Sequence, residues 1–389
     1  MEKLRLPAGH EARRRLDRLA KKAGLCAPRK VDKPLVLYGA GNLGEMAKDY
    51  FRRLQIPFLY VVDSNPGTQR GKSAWNGIPV LRPADVPLAD RGACLLAICV
   101  ANASFSGIAS SLLKQGWRDI VSFYDITEAY TDRCPLGNGW FSGPLNDGDI
   151  GNIGYVLDNW ADDVSRAHHL QFIAWHRSRE ELLFADAPVT TDDRFFIPEI
   201  VSALRKDEIF LDGGAHHGEV SQRFKDVVGG KFRKIYMVEP DKQSIAVLRK
   251  KMASSGVQQR QNTEIFDFAL GSLSGPKPFF YGLGYASQFC AAAKGSVQVR
   301  TLDELDIPVT FIKLHLEGWE YDAFLGAKQT LKRCRPLLAV TAYHNRNGLW
   351  KLPSLLMKSL KDYMFIFRLH SWLGTGAVLY AVPRERLAR

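Results

Sequence analysis

The sequence predicts an α/β protein built from two Rossmann-like, three-layer domains, and two repeated observations carry that expectation. First, an apolar run ends in a glycine-rich turn that opens a helical pattern at 35–44 and again at 209–218. Second, each helical pattern leads to another apolar run that ends in an acid, Asp63 in one case and Glu239 in the other. Strand, glycine turn, helix, strand, acid is the unit with which an open parallel sheet holds a nucleoside. Glycines let the backbone approach the ligand, and the acid accepts hydrogen bonds from ribose hydroxyls.

The chain opens, over 1–30, with a basic helix. Arg13, Arg14, Arg15, Arg18, Lys21 and Lys22 alternate with Leu16 and Leu19 at helical spacing. Such a pattern packs its leucines on the body of the protein with the charges in water, or else it draws the chain to an anionic substrate or membrane surface. Residues 31–130 form the small Rossmann-like domain: a strand at 35–38, the turn Gly39-Ala40-Gly41-Asn42-Leu43-Gly44, a helix through Leu54 and a strand at 58–62. Asp63 follows Gly44 by 19 positions, and further strands fall at 94–100 and 120–124. Gly39, Gly41, Gly44 and Asp63 are therefore a candidate second nucleotide site. The same glycines also serve close helix–strand packing, so the turn alone leaves both readings open. Residues 131–200 read as a helical connector, turn-rich at 135–154 and helical at 156–184. Its lead-in, Phe195-Phe196-Ile197-Pro198-Glu199, is placed to cover the ligand site of the second half.

Residues 201–389 continue with the strand 209–212, the turn Asp212-Gly213-Gly214-Ala215-His216-His217-Gly218, a helix at 219–228 and the strand 235–238. Glu239 lies 21 positions after Gly218. A third strand at 263–269 contains Asp267, and a hairpin-like stretch holds Phe279-Phe280-Tyr281. The segments Phe311-Ile312-Lys313-Leu314-His315-Leu316-Glu317-Gly318 and Phe324-Leu325-Gly326-Ala327-Lys328 follow, then 336–344 ending in Ala342-Tyr343-His344, and two closing runs at 364–370 and 377–382. These spaced motifs, in this order, resemble the "IK-x-D-x-EG … L-x-GA" signature of FkbM-family methyltransferases over roughly residues 195–385. His315 stands where the family has Asp, so no role of that Asp carries over unchanged.

The resemblance implies a class I methyltransferase sheet of seven strands with the last two adjacent. It also implies S-adenosylmethionine as cofactor and a sugar, glycan or secondary-metabolite hydroxyl as acceptor. The turn D-x-G-x-x-x-G suits a cofactor with no pyrophosphate to cradle. Asp212, Gly213, Gly214, Ala215 and Gly218 are the candidate turn contacts, Glu239 the ribose acceptor and Asp267 the partner of the adenine amino group; for Asp212 and Glu239 a capping or turn role is the rival reading. Methyl transfer needs alignment and, for a hydroxyl, a base. Alternation along a strand puts Phe311, Lys313, His315 and Glu317 on one face, where polar residues are out of place in a doubly covered sheet. His315 is the candidate base, with Glu317, Lys313 and His344 beside it as catalytic candidates; a structural ion-pair network is the alternative. His315, Glu317, His344 and His370 have metal-ligand chemistry but no short-range ligand spacing, and no metal is expected.

Composition narrows the partners. The chain has 389 residues, 46% hydrophobic and 24% charged, with a net charge of +12, which suits a phosphorylated acceptor without requiring one. No nucleic-acid motif accompanies the charge, membrane contact is at most peripheral, and a homo-oligomer is compatible with the sequence. The six cysteines form no C-x-x-C pair, consistent with reduced thiols and a cytoplasmic protein. Two other functions stay open: an NAD(P)-dependent oxidoreductase or nucleotide-sugar-binding protein acting through the first domain, and a non-catalytic scaffold that binds S-adenosylmethionine. No Tyr-x-x-x-Lys group follows the first domain to support the former; the His at 315 is what favours the latter.

Overall fold

The computed structural model describes residues 3–22, 26–68, 73–254, 256 and 261–387; the other positions of the expected segments 1–30, 31–130 and 201–389 lie outside the described residues. Five strands make the first sheet: β1 (Leu35–Tyr38), β2 (Val61–Val62), β3 (Val80–Leu81), β4 (Leu95–Ile98) and β5 (Asp119–Ser122). They run parallel in the order β3-β2-β1-β4-β5. Every residue of β1 and β4 is buried, as continuous apolar strands covered on both faces must be. The chain reverses direction across the sheet between β1 and β4, which opens a crevice beyond their carboxyl ends.

The second sheet is the seven-stranded one implied by the resemblance. Its strands are β6 (Ile209–Gly213), β7 (Lys234–Val238), β8 (Thr263–Phe266), β13 (Phe311–Leu314), β14 (Leu337–Thr341), β15 (Tyr363–Leu369) and β16 (Ala377–Pro383). The order is β15-β16-β14-β13-β6-β7-β8, with β16 antiparallel to both of its neighbours. Between β8 and β13 the chain builds a smaller sheet from β9 (Ala269–Leu270), β10 (Gly275–Phe280), β11 (Gln288–Phe289) and β12 (Gly295–Arg300). The hairpin-like stretch of the sequence is its β10–β11 pair.

The connector differs in detail from its reading. Its turn-rich part is helical from Asp147, because Asn146 and Asp149 close a reciprocal capping box. The glycine Gly154 in that helix is explained by its neighbour: a Cβ there would lie 1.7 Å from the Arg13 guanidinium. A second helix, Asp163–Ser178, starts afresh where Asp162 accepts from the Ser165 amide at 2.6 Å. Both helices enter the core of the large sheet, with Ile153, Leu157, Phe172 and Ile173 buried alongside Ile312, Leu338 and Leu379. The basic helix Gly9–Lys21 packs there too: Leu16 and Leu19 are buried, and Arg177 donates to the carbonyls of Leu19 and Ala20 at its C-terminal end. This is the packing alternative for the leucines. Among the described residues no helix is long and apolar enough to cross a membrane.

Candidate functional site

Two carboxylates organise the turn after β6. Asp212 is fully buried; it accepts from Lys313 Nζ at 2.8 Å and from Ser221 Oγ at 2.7 Å. Lys313, buried beside it on β13, spends its other protons on the carbonyls of Gly213 (3.2 Å) and Gly214 (2.9 Å). An ammonium has three donors, and all three are taken. Lys313 therefore lies beneath the turn and holds it, outside the cleft in which transfer would occur. Asp212 takes the turn-ordering one of its two expected roles. The glycines are explained by crowding: at Gly214, φ is +71° and a Cβ would meet the His315 carbonyl oxygen at 1.9 Å, while Gly218 has φ +80° where the helix Glu219–Val227 begins.

Glu239 directly follows β7 and is 7% exposed. One oxygen accepts from the His216 amide at 2.7 Å and the other from the Asp241 amide at 2.8 Å, which leaves lone pairs for further donors. Burial pushes its carboxyl up to about 7, against the pull of those two amides. Asp267 departs from its expected place. The strand β8 stops at Phe266, and Asp267 is exposed on the outer surface, 3.4 Å from Arg249; the next side chain, Phe268, forms the wall instead.

The cleft spans about 600 Å³ with the open solvent at its mouth included. Gly214, His216, Glu239, His315 and Glu317 line it with polar groups, and Phe268, Leu270, Phe279 and Phe289 form apolar walls. The small sheet supplies Phe279 and Phe289, so the insertion between β8 and β13 roofs the site. The lead-in also reaches this region: the Phe195 ring sits 5.4 Å from Lys313 Nζ and 6.3 Å from the His315 ring.

The end of β13 brings together three of the four suspected side chains. The strand stops at Leu314, and Glu317 adopts φ +51°, so strand alternation does not extend to it. That turn folds Glu317 back: its Oε1 lies 3.1 Å from His315 Nε2 and 3.3 Å from His344 Nε2. His344 Nδ1 lies 3.3 Å from Glu320 Oε1. Glu320, which the sequence reading did not single out, is held by the Leu316 amide at 2.8 Å and Thr341 Oγ1 at 2.7 Å. Burial pulls the His344 imidazole down, but Glu317, Tyr343 and Glu320 together hold it well above its ordinary value. His344 thus lies between two carboxylates that favour its charged form. Burial works against the ionised Glu317, yet His344 and His315 hold it below the usual carboxylate range. Burial lowers His315 to about 4, so it is neutral at pH 7. His315 Nε2 also lies 3.1 Å from the Tyr343 hydroxyl. His370, the fourth suspect, bonds instead to the Thr190 carbonyl and the Tyr380 hydroxyl, each at 2.8 Å. The ligand atoms of His315, Glu317 and His344 lie within 4.8 Å of one another, a set with the chemistry to hold a divalent ion.

Residues 212–367 match the methyltransferase FkbM domain. The crystal structure of methyltransferase FkbM from Methylobacillus flagellatus KT is similar over 96% of this chain and 99% of its own, with a TM-score of 0.64 at 18% identity, a likeness of fold that spans both sheets. Weaker likenesses, each over 46% of this chain, are an rRNA methylase from Streptococcus thermophilus (89% of its own chain, TM-score 0.31, 13% identity) and a putative methyltransferase from Streptococcus mutans in complex with SAH (90% of its own chain, TM-score 0.30, 12% identity). No curated protein matches the chain. The matched stretch begins at Asp212 and includes the cleft's His315–Glu317 end, so over residues 212–367 the chain is similar to the FkbM methyltransferase domain.

Proposed function

We propose that the protein is an S-adenosylmethionine-dependent O-methyltransferase acting on a sugar, glycan or secondary-metabolite hydroxyl. The observation that carries this reading is a single cleft with a ribose-type acceptor, Glu239, at one side and a neutral histidine backed by a carboxylate, His315–Glu317, at the other. The turn 212–218 holds the amino acid part of the cofactor, Glu239 its ribose, and the Phe268 wall its adenine.

Transfer is an in-line displacement: the acceptor oxygen bonds to the methyl carbon as the carbon–sulfur bond breaks, and the sulfur keeps the electron pair. The acceptor's proton goes to His315. Glu317 Oε1, 3.1 Å from His315 Nε2, favours the tautomer with its proton on that nitrogen, which leaves the lone pair on Nδ1. The imidazolium so formed pairs with Glu317, which His344 and Glu320 fix in place. Lys313 and Asp212 act one layer below by setting the turn. No step is routed through an ion.

Calorimetric titration with S-adenosylhomocysteine and, separately, NAD(H) tests the assignment. Binding of S-adenosylhomocysteine supports it; binding of NAD(H) alone overturns it. Retained S-adenosylhomocysteine binding with no methyl transfer to any hydroxyl acceptor would favour the scaffold reading, which the His at 315 keeps in play.

A further inference from the structure

The crevice beyond β1 and β4 is open, about 1280 Å³ with the solvent at its mouth included, and lies in the half of the chain that the methyltransferase chemistry does not use. It is lined by Tyr38, Gly41, Asn42, Asp63, Ser64 and Asn102, among others. Its three fingerprint glycines are not equivalent. Gly39 has φ +104°, and a Cβ would meet the Val100 side chain at 2.6 Å. A Cβ on Gly44 would meet the Gly39 carbonyl oxygen at 2.0 Å, the close helix–strand contact that packing demands. Gly41 has neither reason. Its φ is −82° and ψ −166°, which any residue adopts, and a Cβ there would meet no atom of the described residues within 4 Å. The space beside Gly41 is the crevice itself.

Two helices start at this crevice, and the protein treats them differently. The amides of Phe105 and Ser106, opening the helix Phe105–Lys114, donate to the Glu181 carboxylate at 2.8 and 3.0 Å. The helix Asn42–Leu54, which starts immediately after Gly41, has no side-chain cap among the described residues. Across from it, Asp63 accepts from the Ala40 and Asn65 amides, each at 2.8 Å, and keeps lone pairs for hydroxyl donors. We propose that this crevice binds a ribonucleoside diphosphate, with the diphosphate against Gly41 and the start of the helix Asn42–Leu54 and the ribose on Asp63. The wall of the site is tied to the other half of the chain, since the Trp372 amide donates to the Ala101 carbonyl at 2.7 Å.

A dinucleotide and a nucleotide-sugar share this chemistry, so the probes are ADP-ribose and UDP-glucose. Each is titrated calorimetrically into the full chain already saturated with S-adenosylhomocysteine, which fills the other cleft. The expected result is that one probe binds, and its identity names the source. Gly41→Ala, a methyl in space the protein leaves empty, should weaken that binding about tenfold or more while S-adenosylhomocysteine affinity stays unchanged. If Gly41→Ala also loses S-adenosylhomocysteine affinity, Asn102→Trp at the exposed lip of the crevice repeats the blockade. Three results overturn the proposal: neither probe binding, a probe binding only when S-adenosylhomocysteine is left out, or full affinity in the blocked variant. None of these depends on whether the protein transfers methyl groups.

Discussion

A carboxyl held at about 7 beside a cofactor site should register the cofactor as a proton. Glu239 is raised by burial from an ordinary 4.5, while its two amide bonds favour the ionised form. Ribose hydroxyls donating to the same carboxylate would add to that preference. Ligand binding should therefore drive the proton off. At pH 6 about nine-tenths of the free protein carries it and at pH 8 about one-tenth, so affinity for S-adenosylhomocysteine should rise about tenfold, or about 1.4 kcal/mol, between those limits. The assay is titration calorimetry at pH 6 in two buffers of different ionisation enthalpy, where the difference in heat reads the protons released. About one proton is expected. His216 also lines the cleft, but burial holds it below its ordinary 6.5, and Glu239→Gln separates the two: the variant should bind more weakly and release no proton. A pH-independent affinity, or an undiminished release from Glu239→Gln, would refute the ribose assignment.

Replacing His315 by Ala should lower turnover by about 10²–10⁴ with little change in cofactor affinity, and equal turnover would remove it from catalysis. Because His315 is held at about 4, the acid limb of turnover in the intact protein should lie near pH 4: base is present above that value and lost as pH falls through it. A limb at the ordinary histidine value would contradict the burial that lowers His315 against the pull of Glu317. Lys313→Met leaves Asp212 buried without its cation and should cost about 3–5 kcal/mol in chemical denaturation, far more than an exposed lysine would. Dialysis against a chelator should leave activity unchanged; a loss restored by a divalent ion would show that His315, Glu317 and His344 hold a metal rather than a shared proton.

The sheets were legible because they are local. Apolar runs mark β1, β4, β6 and β7 within a residue or two, glycine turns close β1 and β6, and the acids Asp63 and Glu239 fall at the strand ends the spacing requires. What depended on distant parts of the chain was not. Lys313 and His315 look equivalent by alternation, yet Lys313 points under the turn because Asp212 on the neighbouring strand is its register partner. Asp267 missed the cleft and Phe268 took the wall, a one-residue error that follows from β8 ending before either. The roof made by Phe279 and Phe289 arises from pairing within the small sheet, and no periodicity announces which face of that sheet covers a ligand. Glu320 carried one usable signal, an acid three positions after Glu317 at the start of a helix. Its value lies in contacts with Thr341 and His344, more than 20 positions away.

The two glycine turns show how one architecture can be set for different ligands. In both, the acid after the second strand bonds an amide of its own turn and the amide two residues further on: Asp63 with Ala40 and Asn65, Glu239 with His216 and Asp241. The frame is the same; the use of glycine is not. After β6, each glycine answers to the protein. Gly213 would strike the Leu314 side chain at 2.6 Å, Gly214 the His315 backbone, and Gly218 has positive φ. No glycine there is left over for a ligand's backbone-close approach, which suits a cofactor whose sulfonium and amino acid part need contacts but no phosphate cradle. After β1, Gly41 is left over, at the uncapped start of a helix. Placing a methyl at Gly41 should therefore disturb a phosphate-bearing ligand and nothing else, whereas placing one at Gly214 should disturb the fold itself. Equal stability of Gly41→Ala and Gly214→Ala in chemical denaturation would mean that this distinction between ligand glycine and packing glycine is mistaken.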